Sequence, residues 1–474
     1  MRRRDIYILS YLLIPYIIFF VFWYRWFITI PCIAFILFSL YHMSKARDIG
    51  EPDWQNSDMI AILVLLAWVG FSGIGGAVFQ NYDWHKHNAI LADLVRYEWP
   101  LVYHNDQPYL LIYYIAFYLP SAMIGKVFGN SFVAAQIFLY IWSVIGMIIV
   151  YREIKSIFPK KTLIVLLLFV VFSGMDVIGI FYKESVDWLI NPTQHIENWS
   201  LPVAIEYSSF TTLLFWVPQH AIAGWVITLM LYRYQEEVHS VFLLWGISIF
   251  YSPFIFIGLF PFIGYIVIKN IKKKKARQYI TISNITGLML ALIVGLYLIS
   301  GSSGSSISFL WQDSAVSNVW VVYFVFIVTE VLLLSFALLF SKLSKKEPKG
   351  WLYLSIGILI VLPLIKYGHF NDLCMRASIP ALLILFIFTI KSLFSPNNKR
   401  YLRIAILVIL LIGAISPAIE FSRTAYKTIK KESVKNHADS TLFEAVNKRF
   451  LGNYIDSDMD HNWVYRYFLQ KEKE

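Results

Sequence analysis

Charged side chains are scarce in this chain. Only 15% of its 474 residues are Asp, Glu, Lys or Arg, against 58% hydrophobic and 18% aromatic. That balance excludes a water-soluble globular domain, because apolar runs of about 20 residues recur from end to end, each long enough to cross a hydrocarbon core. Cysteine is nearly absent. Cys32 inside one apolar run and Cys374 in a short connection offer neither a disulfide framework nor zinc-ligand spacing. No internal repeat is evident, which counts against a transporter assembled from two related halves. The net charge of +11 does not imply a nucleic-acid partner. Its basic residues fall mainly in short connections between apolar runs, where they act as orientation signals. What is left is an all-α, polytopic helical membrane protein.

The apolar runs cover 6–24, 26–43, 58–79, 131–151, 161–181, 209–231, 240–268, 281–300, 319–340, 350–367, 377–395 and 403–420. Arg2 to Arg4 precede the first, but it is too long for a signal-peptide core and lacks a small-residue cleavage site, so it reads as a retained span. Ser252-Pro253 breaks the run 240–268, and Arg233 and Lys269 to Lys275 flank its two ends. It therefore reads as two short crossings or a re-entrant hairpin, giving about 13 crossings in all.

Lys and Arg are divided unevenly, about 24 on one set of connections and about 7 on the other. The richer set includes Arg152, Lys155, Arg233 and Lys272; the poorer includes Arg25, Lys86, Arg96, Lys126 and Arg376. By the positive-inside rule the richer set is cytoplasmic, so loops 80–130, 182–208, 301–318 and 367–376 face outward. A span at 109–129 would flip the basic connection 151–161 outside. With Tyr113, Tyr114, Tyr118, Pro120 and Lys126 along it, that segment reads as interfacial. Three parts follow: two extra N-terminal spans in 1–57, a transmembrane core in 58–420, and a polar tail, 421–474, which the span count puts outside. Loop 301–318 carries no Lys or Arg, starts Gly/Ser-rich and reads as a mobile outer lid.

The remaining titratable groups gather at the outer face, where ionisable residues are costly to hold and so point to function. Asn81 to Asp93 reads NYDWHKHNAILAD. Asp83 there is a candidate catalytic carboxylate or metal ligand, or the N-cap of a helix starting near Trp84. His85 and His87 share a face if the segment is extended, and with Asp83 they form a candidate set for one divalent metal. Asn88 follows as a candidate substrate ligand. Asp176, in FSGMDVIG near the outer end of its span, needs a partner at that depth and is the second candidate acid. Gln219 and His220, in WVPQHAIAGW, are either substrate ligands or a hydrogen-bonding pair between helices. The segment YGHFNDLCMR adds His369, Asn371, Asp372 and Arg376. Arg376 is either an interface anchor or a phosphate clamp, its planar fork matching phosphate oxygens. His195 and Glu197, in NPTQHIENW, read as ordinary loop residues.

In the order of these parts the chain resembles the GT-C superfamily, membrane glycosyltransferases that take a sugar from a polyprenyl-phosphate carrier. Asp83 and Asp176 fall where that fold has an acid in the first large outer loop and another at the outer end of a span two crossings later. QPYLLIYYIAFYLPSAMIGKVFG looks like the family's surface-lying Pro-Tyr-Tyr…Lys-x-Phe-Gly stretch, and YSPFIFIGLFPFIGY like its broken mid-membrane segment. The span ending at Tyr151-Arg152 is similar too. The resemblance covers the order of elements over roughly the first 270 residues. It departs in two respects: two extra spans come first, and His85 and His87 stand where a second carboxylate is usual. It implies inverting transfer of a hexosyl or pentosyl group to a glycan, lipid or protein acceptor at the extracytoplasmic face of the cell membrane. Asp83 would be the acceptor base and Arg376 would hold the carrier phosphate, with a divalent metal as an open cofactor. The rival classes are a lipid-linked polysaccharide polymerase or ligase, and a transporter or flippase. The latter predicts charges near the bilayer midplane, whereas the charges read here sit at one face.

Overall fold

A computed structural model of the chain describes residues 5–45, 54–183, 195–197, 205–272, 276–301, 307–312, 318–344, 347–368, 371–432 and 441–471. It is 73% helical with little sheet. Helix is the expected solution, because a segment in hydrocarbon must satisfy its backbone groups internally. Among the described residues, seven helices are long and apolar enough to cross a membrane: Asp5–Trp23, Trp26–Ser44, Phe132–Ile157, Pro253–Lys272, Ile282–Ile299, Val319–Leu339 and Arg400–Ile429. Shorter apolar helices occupy Asn56–Phe71, Val238–Tyr251, Lys349–Leu364 and Ile379–Phe394.

Several runs that look continuous in sequence are interrupted in the fold. The run 161–181 splits into Thr162–Val170 and Asp176–Lys183. The run 209–231 splits at Val217 into Phe210–Trp216 and Pro218–Arg233. The expected break at Ser252-Pro253 separates Val241–Tyr251 from Pro253–Lys272. A proline has no N–H to continue the ladder, so a helix restarts at it more readily than it passes through. Segment 109–129 holds the strand Pro108–Leu111 and the nine-residue helix Leu119–Val127, which is too short to cross a bilayer. The helix ending the last apolar run continues to Ile429, past the boundary expected at 420.

A polar group of contacts lies at each end of helix Asp5–Trp23. At one end, the hairpin Val102–His104 and Pro108–Leu111 takes Ile455-Asp456 of the tail as a third strand. Beside it, Leu442 N donates to Asp93 Oδ2 at 2.9 Å, and Gln470 N donates to Trp23 O at 2.7 Å. The tail thus lies with the 80–113 region. At the opposite end of helix Asp5–Trp23, Arg233 bonds Asp5 Oδ1 and Glu153 Oε1, both at 2.7 Å, tying three helices together.

Asp5 and Glu153 are 0% and 2% exposed, so removing their shared cation strands two buried charges. Breaking such a network typically costs about 3–5 kcal/mol. Arg233→Met should therefore lower the melting temperature in detergent by several degrees, with Arg233→Lys recovering part of the loss. Wild-type melting in Arg233→Met would show that the triad carries no stability.

Candidate functional site

The site is organised by the break at Val217. Helix Phe210–Trp216 ends there with Val217 at φ −136° and ψ 51°, and Pro218 supplies no N–H. His220 N turns instead to Val217 O at 3.0 Å, leaving the Phe215 and Trp216 carbonyls without helical partners. The NYDWHKHN segment fills them. Asn81 Nδ2 and Trp84 Nε1 donate to Phe215 O at 2.7 and 2.9 Å, and His87 Nε2 bonds Trp216 O at 3.0 Å. Asn88 Nδ2 donates to Gln80 Oε1 at 2.7 Å, and Gln80 Nε2 to Gly73 O at 2.9 Å. Asn88 therefore braces helix Trp84–Arg96 from behind.

Asp83 immediately precedes that helix, yet its side chain makes no capping bond. It reaches Lys86 Nζ at 2.9 Å instead. Burial raises its pKa, but the positive charge of Lys86, with His87 and Arg376 nearby, outweighs that and holds Asp83 below the usual carboxylate range. Asp83 is ionised at neutral pH. His87, 2% exposed, is the opposite case. Because Trp216 O can only accept, Nε2 carries the proton, and Nδ1 accepts from the Tyr118 hydroxyl at 2.5 Å. Burial first, then the Lys86 charge, pushes its pKa down to about 3.

This arrangement does not assemble Asp83, His85 and His87 as a metal set. The segment is helical from Trp84, so residues two apart point about 200° apart around the axis instead of sharing a face. His85 rests on the Tyr82 ring, centroids 5.4 Å apart, and both His87 nitrogens are engaged.

Arg376 forms the other side. Asn371 turns the chain in the left-handed region, φ 51° and ψ 50°, and helix Asp372–Ala377 follows; Asn371 is a turn residue. Gly258 lets helix Pro253–Lys272 approach this one, since a Cβ there would fall 2.2 Å from Ala377 O. Arg376, 6% exposed, binds Asp372 Oδ1 at 2.8 Å and the Tyr114 hydroxyl at 3.4 Å, and lies 5.4 Å over the Phe254 ring. His220 shares a 2.6 Å hydrogen bond with Ser252 Oγ, and its ring stands 5.1 Å from that of Tyr114. Among the described residues, His220 Nε2 and both amide atoms of Gln219 are buried with no hydrogen-bond partner. Asp83, His87, His220, Asp372 and Arg376 thus meet in one place; Asn88 and Asn371 brace it, and His85 turns away. His369 and most of loops 182–208 and 301–318 lie outside the described residues.

Asp176 belongs to a second centre. Ser173 and Ser416 hydroxyls donate to its Oδ2 at 3.2 and 3.1 Å. Glu197, Glu206, Glu330 and Glu420 gather with His195 around it. Glu330 lies halfway along helix Val319–Leu339, in a π-helical turn, Val328–Leu332. Trp216 separates the centres: its indole N–H donates to Glu420 Oε2 at 3.2 Å and its ring faces His195 at 4.9 Å. Sequence reasoning passed over Glu330, Glu420 and Arg423. The available signal was charge inside largely apolar stretches: Glu330 alone in VTEVLLL, and Glu420 with Arg423 in SPAIEFSR.

No protein family, curated protein or solved structure matches this chain.

The depressed pKa of His87 has a signed consequence. The unfolded imidazole takes a proton near pH 6.5, the folded one only near 3. Stability from this group is present above about pH 6.5 and is lost as pH falls below it, by up to about 1.4 kcal/mol per pH unit. Between pH 7 and 5 the wild-type melting temperature should fall more steeply than that of His87→Gln. Parallel curves would remove His87 as a buried neutral group.

Proposed function

We propose that the protein is an integral membrane glycosyltransferase, moving a sugar from a polyprenyl-phosphate carrier to an acceptor hydroxyl at the extracytoplasmic face of the cell membrane. The observation that carries this reading is the meeting of an ionised carboxylate, Asp83, with a buried guanidinium, Arg376, in one polar cluster at an end of an apolar bundle. Buried, unpartnered polar atoms on Gln219 and His220 support a ligand at that spot, since such atoms are costly unless something bonds them. A GT-C-like core of about 13 crossings is consistent with the broken helices around the cluster.

The chemistry follows from the charges. The acceptor oxygen attacks the anomeric carbon, the bond from that carbon to the phosphate oxygen breaks, and configuration inverts. Asp83 takes the acceptor proton as the new bond forms. Polyprenyl phosphate leaves with the electron pair, and Arg376 and Lys86 stabilise the charge that builds on its oxygens. Tyr114 and His220 line the cluster as hydrogen-bonding groups for sugar or phosphate.

A transporter reading draws on Glu330, which sits mid-span, where carboxylates often mark ion paths. The two readings diverge in one assay. Purified protein in liposomes is given radiolabelled polyprenyl-phosphate sugars and acceptor extracts, and both chemical transfer and movement of label across the bilayer are followed. We expect transfer. Asp83→Asn should lose at least a hundredfold in kcat with normal folding. Arg376→Lys, which keeps charge but not the planar fork, should raise the donor KM about tenfold, less than Arg376→Ala, which loses the roughly 1.5–3 kcal/mol typical of a charge-assisted bond. Wild-type turnover in Asp83→Asn would overturn the assignment, as would movement of label without any transfer.

A further inference from the structure

The second centre holds more carboxyl groups than cations among the described residues. Around Trp216 stand five carboxylates, Asp176, Glu197, Glu206, Glu330 and Glu420, of which none is more than 6% exposed. Among the described residues the cations beside them are Arg423, bonded to Glu420 at 2.7 Å, and the His195 imidazole when protonated. The other acids are met by neutral donors. Ser209 N and the Thr212 hydroxyl donate to Glu197 at 3.0 and 2.8 Å, and the Ser208 hydroxyl donates to Glu206.

Glu330 is the independent sign that something is missing. It is 3% exposed, faces Asp176 and Glu197, and its only polar neighbours among the described residues are the Met175 backbone and the Asp176 carboxyl, with neither oxygen in good hydrogen-bond geometry. Room has been made for it: a Cβ on Gly174 would fall 1.6 Å from Glu330 Oε2. A buried carboxylate without partners costs several kcal/mol unless a cation or proton neutralises it.

We propose that His195, Glu197 and Glu206 bind one divalent cation, whose charge also compensates Glu330 and Asp176. One ligand atom from each of the three lies within 4.8 Å of the others. His195 Nε2 stands 3.8 Å from Glu206 Oε1, too long for a hydrogen bond and within the span of two ligands each about 2.1 Å from a shared ion. The other ring nitrogen, Nδ1, is 2.8 Å from Glu420 Oε1, and Glu420 is fixed by Trp216 and Arg423. A carboxylate holding the far nitrogen is the arrangement that orients a metal-binding histidine and raises its donor strength. One imidazole with two carboxylates suits Mn²⁺ or Zn²⁺.

The test uses the full chain in detergent, stripped with chelator and titrated with Mn²⁺, free ion being read by electron paramagnetic resonance, and with Zn²⁺ by calorimetry. One saturable ion per chain is expected. His195→Ala and Glu197→Gln should each weaken it at least tenfold, while His85→Ala and Asp83→Asn leave it unchanged. If Glu197→Gln does not fold, Glu206→Gln takes its place. Glu330→Gln should raise the melting temperature of the metal-free protein and narrow its gap to the loaded one. Because binding is read without turnover, failure of sugar transfer leaves this result standing. Absence of a saturable site for both ions would overturn the proposal, as would unchanged affinity in the ligand variants.

Discussion

The carbonyl groups of Phe215 and Trp216 are the hinge of the molecule's polar architecture. In an apolar surround a backbone oxygen cannot be left without a donor, and at the break His220 N turns to Val217 O, so the helix does not supply one. Three side chains from one short segment, Asn81, Trp84 and His87, meet that demand. Their bonds hold helix Trp84–Arg96 in place and with it Asp83. His87 holds Trp216 O through its Nε2 proton, and burial keeps Nδ1 an acceptor for the Tyr118 hydroxyl at neutral pH. The break at Ser252 works similarly. Its hydroxyl accepts Ile255 N at 3.1 Å as the next helix starts and also bonds His220.

What the sequence made legible follows from what apolar periodicity can encode. The break at Ser252-Pro253 could be read because a proline acts locally, and 109–129, expected not to span, holds only the nine-residue helix Leu119–Val127. Asp83 and Arg376 stand out in the sequence as charges at the mouths of apolar runs, and the fold brings them within electrostatic reach of one another. The relation between His85 and His87 was misread, because a polar segment carries no mark of being extended or helical, and a two-residue spacing means opposite things in the two cases. Asp83 and Asp176 read as a pair by their positions in the chain; the fold parts them with Trp216. Glu330 was hidden by its surroundings, since one acid among VTEVLLL barely lowers the apolar average, although burying a carboxyl group there is costly.

The two centres differ in how their charge is balanced, and that difference decides what each can accept. Around Asp83 and Arg376 every charge has a partner within a turn: Lys86 for Asp83 at i+3, Asp372 for Arg376 at i−4. Such pairs hold ionised groups ready without a ligand and can exchange partners when an anionic substrate arrives, so the cluster is preorganised rather than incomplete. Around Glu197 and Glu330 the compensation is missing from the described chain, and a cation that fills it would stabilise the folded state directly. Trp216 serves both, its carbonyl fixing His87 on one side and its indole fixing Glu420 on the other. Trp216 is thus the residue in contact with both Glu420 of the acidic centre and His87 of the helix that follows Asp83. The helix break that lets the chain hold a polar site at the edge of an apolar bundle also joins that site to the buried acids behind it.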